Sequence, residues 1–174
     1  MARQLWVLRH AEAEPHGVRR DSERRLTERG ERQARDAGLA LAAMGARFDV
    51  FLTSPKVRAR QTAELAAESW EEEQRTSLRI HDPLASGFEA AQALELAYGA
   101  PADGRLLLVG HEPDLTRIIG ELTGARAELK KGAVAVLRLE GGGGELLALI
   151  RPRELALIAL AGDAVAARAV PAGG

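Results

Sequence analysis

Three places in the chain set cationic or proton-carrying side chains directly after a short apolar run. Leu5-Trp6-Val7-Leu8 is followed by Arg9-His10, Val50-Phe51-Leu52 by Thr53-Ser54-Pro55-Lys56-Val57-Arg58, and Leu106-Leu107-Leu108-Val109 by Gly110-His111-Glu112. Unbroken apolar runs of this length read as strands covered on both faces. In an open α/β sheet, ligands bind at the carboxyl ends of such strands. If the three strands are parallel, Arg9, His10, Arg58 and His111 share one pocket. Guanidinium forks suit tetrahedral oxyanions, and helix starts at Pro55 and Pro113 would add partial positive charge and free N–H groups. The expected ligand is a phosphoryl group. Serine, histidine and a metal-bound water could each attack it. Histidine is the better nucleophile, because neighbouring arginines would hold the His10 imidazole unprotonated.

The elements that must position these groups alternate. Thr27-Glu28-Arg29 opens a helix in which Ala34, Ala37, Leu41 and Met44 recur at helical spacing, with Gly45 as a left-handed cap. Thr53-Ser54-Pro55 supplies an N-cap and a proline at the first helical position for a second helix reaching about Trp70. The polar stretch from Trp70 to Ser77 reads as a solvated helix end. Leu78-Arg79-Ile80 suggests a short strand, and Phe88 to Tyr98 a helix closed by Gly99 and Pro101. Pro113 starts a further helix through Leu115, Ile118, Ile119 and Leu122, with Gly124 after it. Ala133 to Leu139 and Glu145 to Ile150, separated by four glycines, read as an antiparallel hairpin. The glycine run precedes a strand, not a helix, which favours a turn over a phosphate cradle. A helix from Pro152 to about Arg168 follows, and residues 171–174 are expected to fray. The expected fold is α/β, a three-layer α/β/α sandwich with a mainly parallel central sheet and a C-terminal antiparallel hairpin. Residues 1–170 are expected to form one domain.

Totals narrow the function. The chain has 174 residues, a formal net charge of −1, 46% apolar and 28% charged residues, and no cysteine. Near-neutral charge gives no global reason to expect nucleic acid or an anionic membrane as partner. The lack of cysteine excludes disulfides, thiolate metal sites and cysteine nucleophiles. No apolar stretch approaches a membrane-spanning length, so a soluble, cytoplasmic protein is expected. Its oligomeric state is not legible.

Leu8-Arg9-His10-Ala11-Glu12 resembles the RHG or RHA signature of the histidine phosphatase superfamily, the phosphoglycerate mutase-like fold. Ser54-Pro55-Lys56-Val57-Arg58-Ala59-Arg60-Gln61-Thr62-Ala63 is similar to that family's SPxxRAxQTA motif, and Val109-Gly110-His111 to its second-histidine motif. Residues 21 to 30, DSERRLTERG, resemble the DxxRxLTxxG stretch of the short phosphohistidine phosphatase SixA branch. The resemblance implies a metal-independent phosphatase without cofactor, acting on a phosphorylated protein or a small phosphorylated molecule. His10 would carry a transient phosphohistidine. Arg9, Arg58 and His111 would hold the equatorial oxygens, and Arg24 would reach the same pocket from the loop before the first helix. Arg60 should face away from Arg58.

A leaving alkoxide needs a proton, and Glu112, Asp21, Glu12 and Glu14 are the carboxyl candidates, with Asp21 and Glu112 also expected beside Arg24 among the substrate-binding residues. Glu112 could instead complement a helix start, and Asp21 could pair with Arg24. A phosphoramidate such as phosphohistidine leaves with less help, so an unmarked acid leans toward that substrate. The remaining histidines, His16 and His81, are expected to face solvent. A metallohydrolase using His10, His16, His111 and Glu112 fits no familiar ligand spacing. A mutase, a small-molecule phosphatase, or a phospho-binding module of the same fold without turnover would also be built on such a clamp.

Overall fold

The computed structural model describes residues 2 to 169; the segment expected to fray, 171–174, lies outside the described residues. Among the described residues, six strands form one sheet in the order β3-β2-β4-β1-β5-β6. They are β1 Gln4–Arg9, β2 Val50–Thr53, β3 Arg79–Ile80, β4 Arg105–Gly110, β5 Val134–Glu140 and β6 Gly143–Ile150. The helices are α1 Glu28–Ala43, α2 Val57–Ala67, α3 Glu72–Thr76, α4 Ala90–Gly99, α5 Asp114–Thr123 and α6 Pro152–Ala169. Strands β1 to β3 pair in parallel with their neighbours through β4, and the hairpin adds two antiparallel pairings, β1 with β5 and β5 with β6. The sheet is therefore mixed, as expected.

Alternation along the strands divides the core into two layers. Leu5 and Val7 of β1, with Leu106 and Leu108 of β4, pack against α4 and α5 through Ala93, Ala97, Leu115 and Ile118. Trp6 and Leu8, with Leu107 and Val109, pack on the other face against α1, α2 and α6 through Ala37, Leu41, Ala63 and Leu155. Each fully buried leucine or phenylalanine contributes roughly 1.5–3 kcal/mol. This burial on both faces explains why the runs in β1 and β4 are apolar without a polar alternate.

Close packing on one side depends on two glycines of α1. A Cβ at Gly38 would stand 1.9 Å from the carbonyl oxygen of Ala66 in α2, and one at Gly30 would stand 1.9 Å from the carbonyl oxygen of Glu12. Thr27 caps α1, its Oγ1 accepting from the Gly30 N–H at 3.1 Å. Gly45 follows in the left-handed region, at φ +68°.

Several boundaries differ from expectation. Helix α2 begins at Val57, because Lys56 remains extended as its N-cap and Ser54 Oγ accepts the Lys56 N–H at 3.2 Å. It ends at Ala67, and a separate short helix, α3, occupies part of the stretch read as a solvated end. Helix α5 begins at Asp114, with Pro113 as its N-cap. Of the four glycines in the hairpin, only Gly141 and Gly142 form the turn; Gly143 and Gly144 belong to β6.

Candidate active site

The backbone ladder continues one residue past the strands at the carboxyl edge. The His10 N–H donates to Gly110 O at 3.0 Å, and the Ser54 N–H to Val109 O at 2.9 Å. Because β2, β4 and β1 are adjacent and parallel, those bonds bring His10, Ser54 and His111 to one level. The His10 and His111 ring centroids are 5.1 Å apart. Helix α2 is fastened to the same point: Thr62 Oγ1 accepts from the Ala11 N–H at 3.0 Å and donates to Arg58 O at 2.7 Å.

The partners of His10 set its tautomer. Its Nδ1 lies 2.8 Å from the Ala11 carbonyl, which can only accept, so Nδ1 carries the hydrogen. Arg58 Nε, which can only donate, lies 3.3 Å from His10 Nε2. The Nε2 lone pair is therefore the nucleophilic end, and Arg58 is its hydrogen-bond donor. Burial pushes the His10 pKa down to about 3, ahead of the charges of Arg58, Arg9 and Lys131 and against the Ala11 hydrogen bond. His111 is pushed down to about 2, again by burial first and then by its charged neighbours. The arginines expected to keep the imidazole neutral are thus the smaller cause.

Arg9, His10, Asp21, Arg24, Arg58, His111 and Glu112 all line one cavity of about 610 Å³. Arg24 and Arg58 are only 6% and 4% exposed. They are held by Asp21: Arg24 donates to Asp21 Oδ1 from Nε at 3.1 Å and Nη2 at 2.8 Å, and Arg58 Nη1 donates to Asp21 O at 2.6 Å. Lys56 Nζ reaches Asp21 Oδ2 at 2.8 Å. These cations, Lys56 first, hold the Asp21 carboxyl far below the usual carboxylate range. Asp21 is therefore a fixed anion that organises the clamp, a poor proton donor and a poor binder of an anionic substrate. Arg9 donates from Nη1 to Leu129 O at 2.8 Å, while its buried Nε has no partner among the described residues.

Of the other carboxyl candidates, Glu12 turns away from the cavity to accept from Thr27 Oγ1 at 2.9 Å and pair with Arg29 at 3.3 Å. Glu14 lines the cavity but is occupied by Arg19 and the Arg25 N–H. Glu112 lines it with Oε1 buried and unpartnered among the described residues. Arg60 is absent from the lining, as expected of its place on α2. His16 is exposed at the cavity mouth, whereas His81 is half-buried, its ring edge-on to Phe88 at 5.7 Å. Among the described residues, no three histidine or carboxylate side chains gather as metal ligands.

Sequence reasoning missed Lys131, which lines the cavity just before β5. The Gly132 N–H donates to both Arg9 O and His10 O at 3.1 Å, clasping that segment to the nucleophile. Two lysines before a glycine and a strand were the available signal. An antiparallel strand begins at the edge where its parallel neighbours end, so the start of β5 belonged in the search. Also missed were Lys56, from the start of α2, and Ser86 and Asp114, which line the cavity from the opposite layer. Asp114 holds the Phe88 N–H at 3.1 Å and Arg117 at 2.9 Å.

Comparison with known proteins agrees with this arrangement. Residues 5–85 match the sequence profile of the histidine phosphatase superfamily (branch 1). A protein of Picosynechococcus sp. is 34% identical over 146 residues, covering 78% of this chain and 84% of its own. The structure of the protein histidine phosphatase SixA complexed with tungstate superposes with a TM-score of 0.73 at 23% identity, covering 87% of this chain and 99% of that one. A candidate phosphohistidine phosphatase SixA from Nakamurella multipartitia gives a TM-score of 0.72 at 30% identity, covering 87% and 97%. No helix among the described residues is long and apolar enough to cross a membrane. By motif, fold and these likenesses together, the chain belongs to the histidine phosphatase superfamily, with a phosphoglycerate mutase-like fold.

Proposed function

We propose that the protein is a phosphatase that works through a covalent phosphohistidine on His10 and acts on phosphohistidine in a protein. The carrying observation is the orientation of His10, with Nδ1 bound to a carbonyl and the Nε2 lone pair turned toward a cavity lined by guanidinium groups. Nε2 attacks phosphorus as the bond to the leaving group breaks, and Arg58 passes its hydrogen bond from Nε2 to a phosphoryl oxygen. Arg9, Arg24 and His111 stabilise the remaining charge, the main task in phosphoryl transfer. Glu112 gives a proton to the leaving group. Its carboxylate then takes one from the water that displaces His10 and releases orthophosphate.

The unpartnered Glu112 removes the reason for preferring phosphohistidine on the ground of a missing acid. What favours it is the rim: Pro15, His16, Ser86 and Lys131 are exposed, leaving the cavity open to a side chain presented by another protein. The SixA names of the similar structures point the same way. The test is a panel of a phosphohistidine protein, p-nitrophenyl phosphate, sugar phosphates and nucleotides, with EDTA present. The expected result is turnover fastest on the phosphohistidine protein, a labelled enzyme intermediate stable to alkali and labile to acid, and loss of both in His10→Ala. Binding without turnover would make it a phospho-binding module, and loss of activity to EDTA a metallohydrolase.

A further inference from the structure

Ser54 is completely buried and its backbone is fixed, the N–H donating to Val109 O and the carbonyl accepting from Thr53 Oγ1 at 3.3 Å. Its Oγ has two partners among the described residues: the Lys56 N–H, at 3.2 Å, and His111 Nε2, at 2.7 Å. A backbone N–H can only donate, so Oγ accepts there. The hydroxyl hydrogen then has one acceptor within reach, His111 Nε2. Were Nε2 protonated instead, Oγ would accept twice and its own hydrogen would be stranded in a fully buried site, which costs more than a made hydrogen bond returns. Pairing both the hydroxyl hydrogen and Nε2 places the hydrogen of the neutral imidazole on Nδ1, the buried atom that has no partner among the described residues; the other tautomer would strand the hydroxyl hydrogen and the Nδ1 lone pair together.

We propose that Ser54 is a positioning residue that holds His111 in the Nδ1–H tautomer, making that N–H an unspent donor for a phosphoryl oxygen. The inference rests on reading the cavity as a phosphoryl site. It adds a reason why serine follows β2, beyond starting α2. The two histidines are then set in opposite senses by their neighbours. In His10, Nδ1 is spent on a carbonyl and Nε2 is left as a lone pair; in His111, Nε2 is spent on a hydroxyl and Nδ1 is left as a donor.

The wild-type protein tests this directly. With ¹⁵N-labelled histidine, long-range ¹H–¹⁵N NMR distinguishes protonated from bare ring nitrogens, and His111 is assigned by its absence in His111→Gln. The expected spectrum has hydrogen on His111 Nδ1, and orthophosphate should perturb that nitrogen. In Ser54→Ala, the hydrogen should redistribute toward Nε2, the inhibition constant for orthophosphate should rise, and kcat should fall about ten- to a hundred-fold, less than the 10²–10³ for losing a whole oxyanion donor. An unchanged signal from His81, whose ring packs edge-on to buried Phe88, would show that the variant is folded. Hydrogen on Nε2 in the wild type, or an unaltered tautomer in folded Ser54→Ala, overturns the proposal. Lack of hydrolysis alongside the expected tautomer would count against the proposed function and leave this inference standing.

Discussion

Glu112 separates substrates by their leaving groups. An alkoxide must be protonated as it departs, whereas p-nitrophenolate departs without help, and general acids contribute about 10²–10⁴-fold where they are needed. Glu112→Gln should therefore lower kcat on an alkyl phosphate by about that range and change kcat on p-nitrophenyl phosphate by only a few-fold. Equal losses on both would assign Glu112 to binding. The sequence placed Arg9, His10, Arg58, His111 and Glu112 at one cavity, because residue type and strand-end position carry that information, whereas Arg24 was implied only by the resemblance of residues 21 to 30 to the DxxRxLTxxG stretch. It left the acid open, since the ion pairs that occupy Asp21, Glu12 and Glu14 join segments up to 37 residues apart. Local sequence does not show which carboxylate stays unpaired.

At the scale of elements, two glycines of α1 make opposite demands. Gly38 lies against the backbone of α2 and Gly30 against the segment that leaves His10, and in both cases the obstructing atoms are main chain and cannot swing aside. Overpacking of this kind costs about 1–3 kcal/mol or more. Gly38→Ala should lower the urea midpoint while the folded fraction keeps its kcat. Gly30→Ala should lower both, because relief of the clash moves the chain after β1. A normal kcat in folded Gly30→Ala would show that the nucleophile is indifferent to that segment. Strand and helix order was legible from apolar period and capping residues, as at Thr27 and Gly45. The start of α2 was not, since Ser54 and Pro55 look like an N-cap and first turn until Ser54 Oγ is seen bonded to Lys56 and His111.

For the whole molecule, the buried imidazoles couple folding to acidity. His10 and His111 are 6% and 7% exposed, with pKa values near 3 and 2 in the folded chain, against about 6.5 when unfolded. Below pH 6.5 the unfolded chain binds protons that the folded one refuses, so stability is full above that pH and falls as pH drops toward 3. Between pH 7 and 5, each imidazole should cost on the order of 2 kcal/mol. Asp21 acts elsewhere: its lowered folded pKa gives stability present above the ordinary value of 3.8 and lost only at lower pH. The window from 7 to 5 therefore isolates the histidines. Urea unfolding should show a fall of roughly twice the single-imidazole cost across it, and His111→Gln should remove about half of that fall. A midpoint that does not move between pH 7 and 5 would mean that the folded site accepts protons, leaving the His10 lone pair unavailable for attack at mildly acid pH.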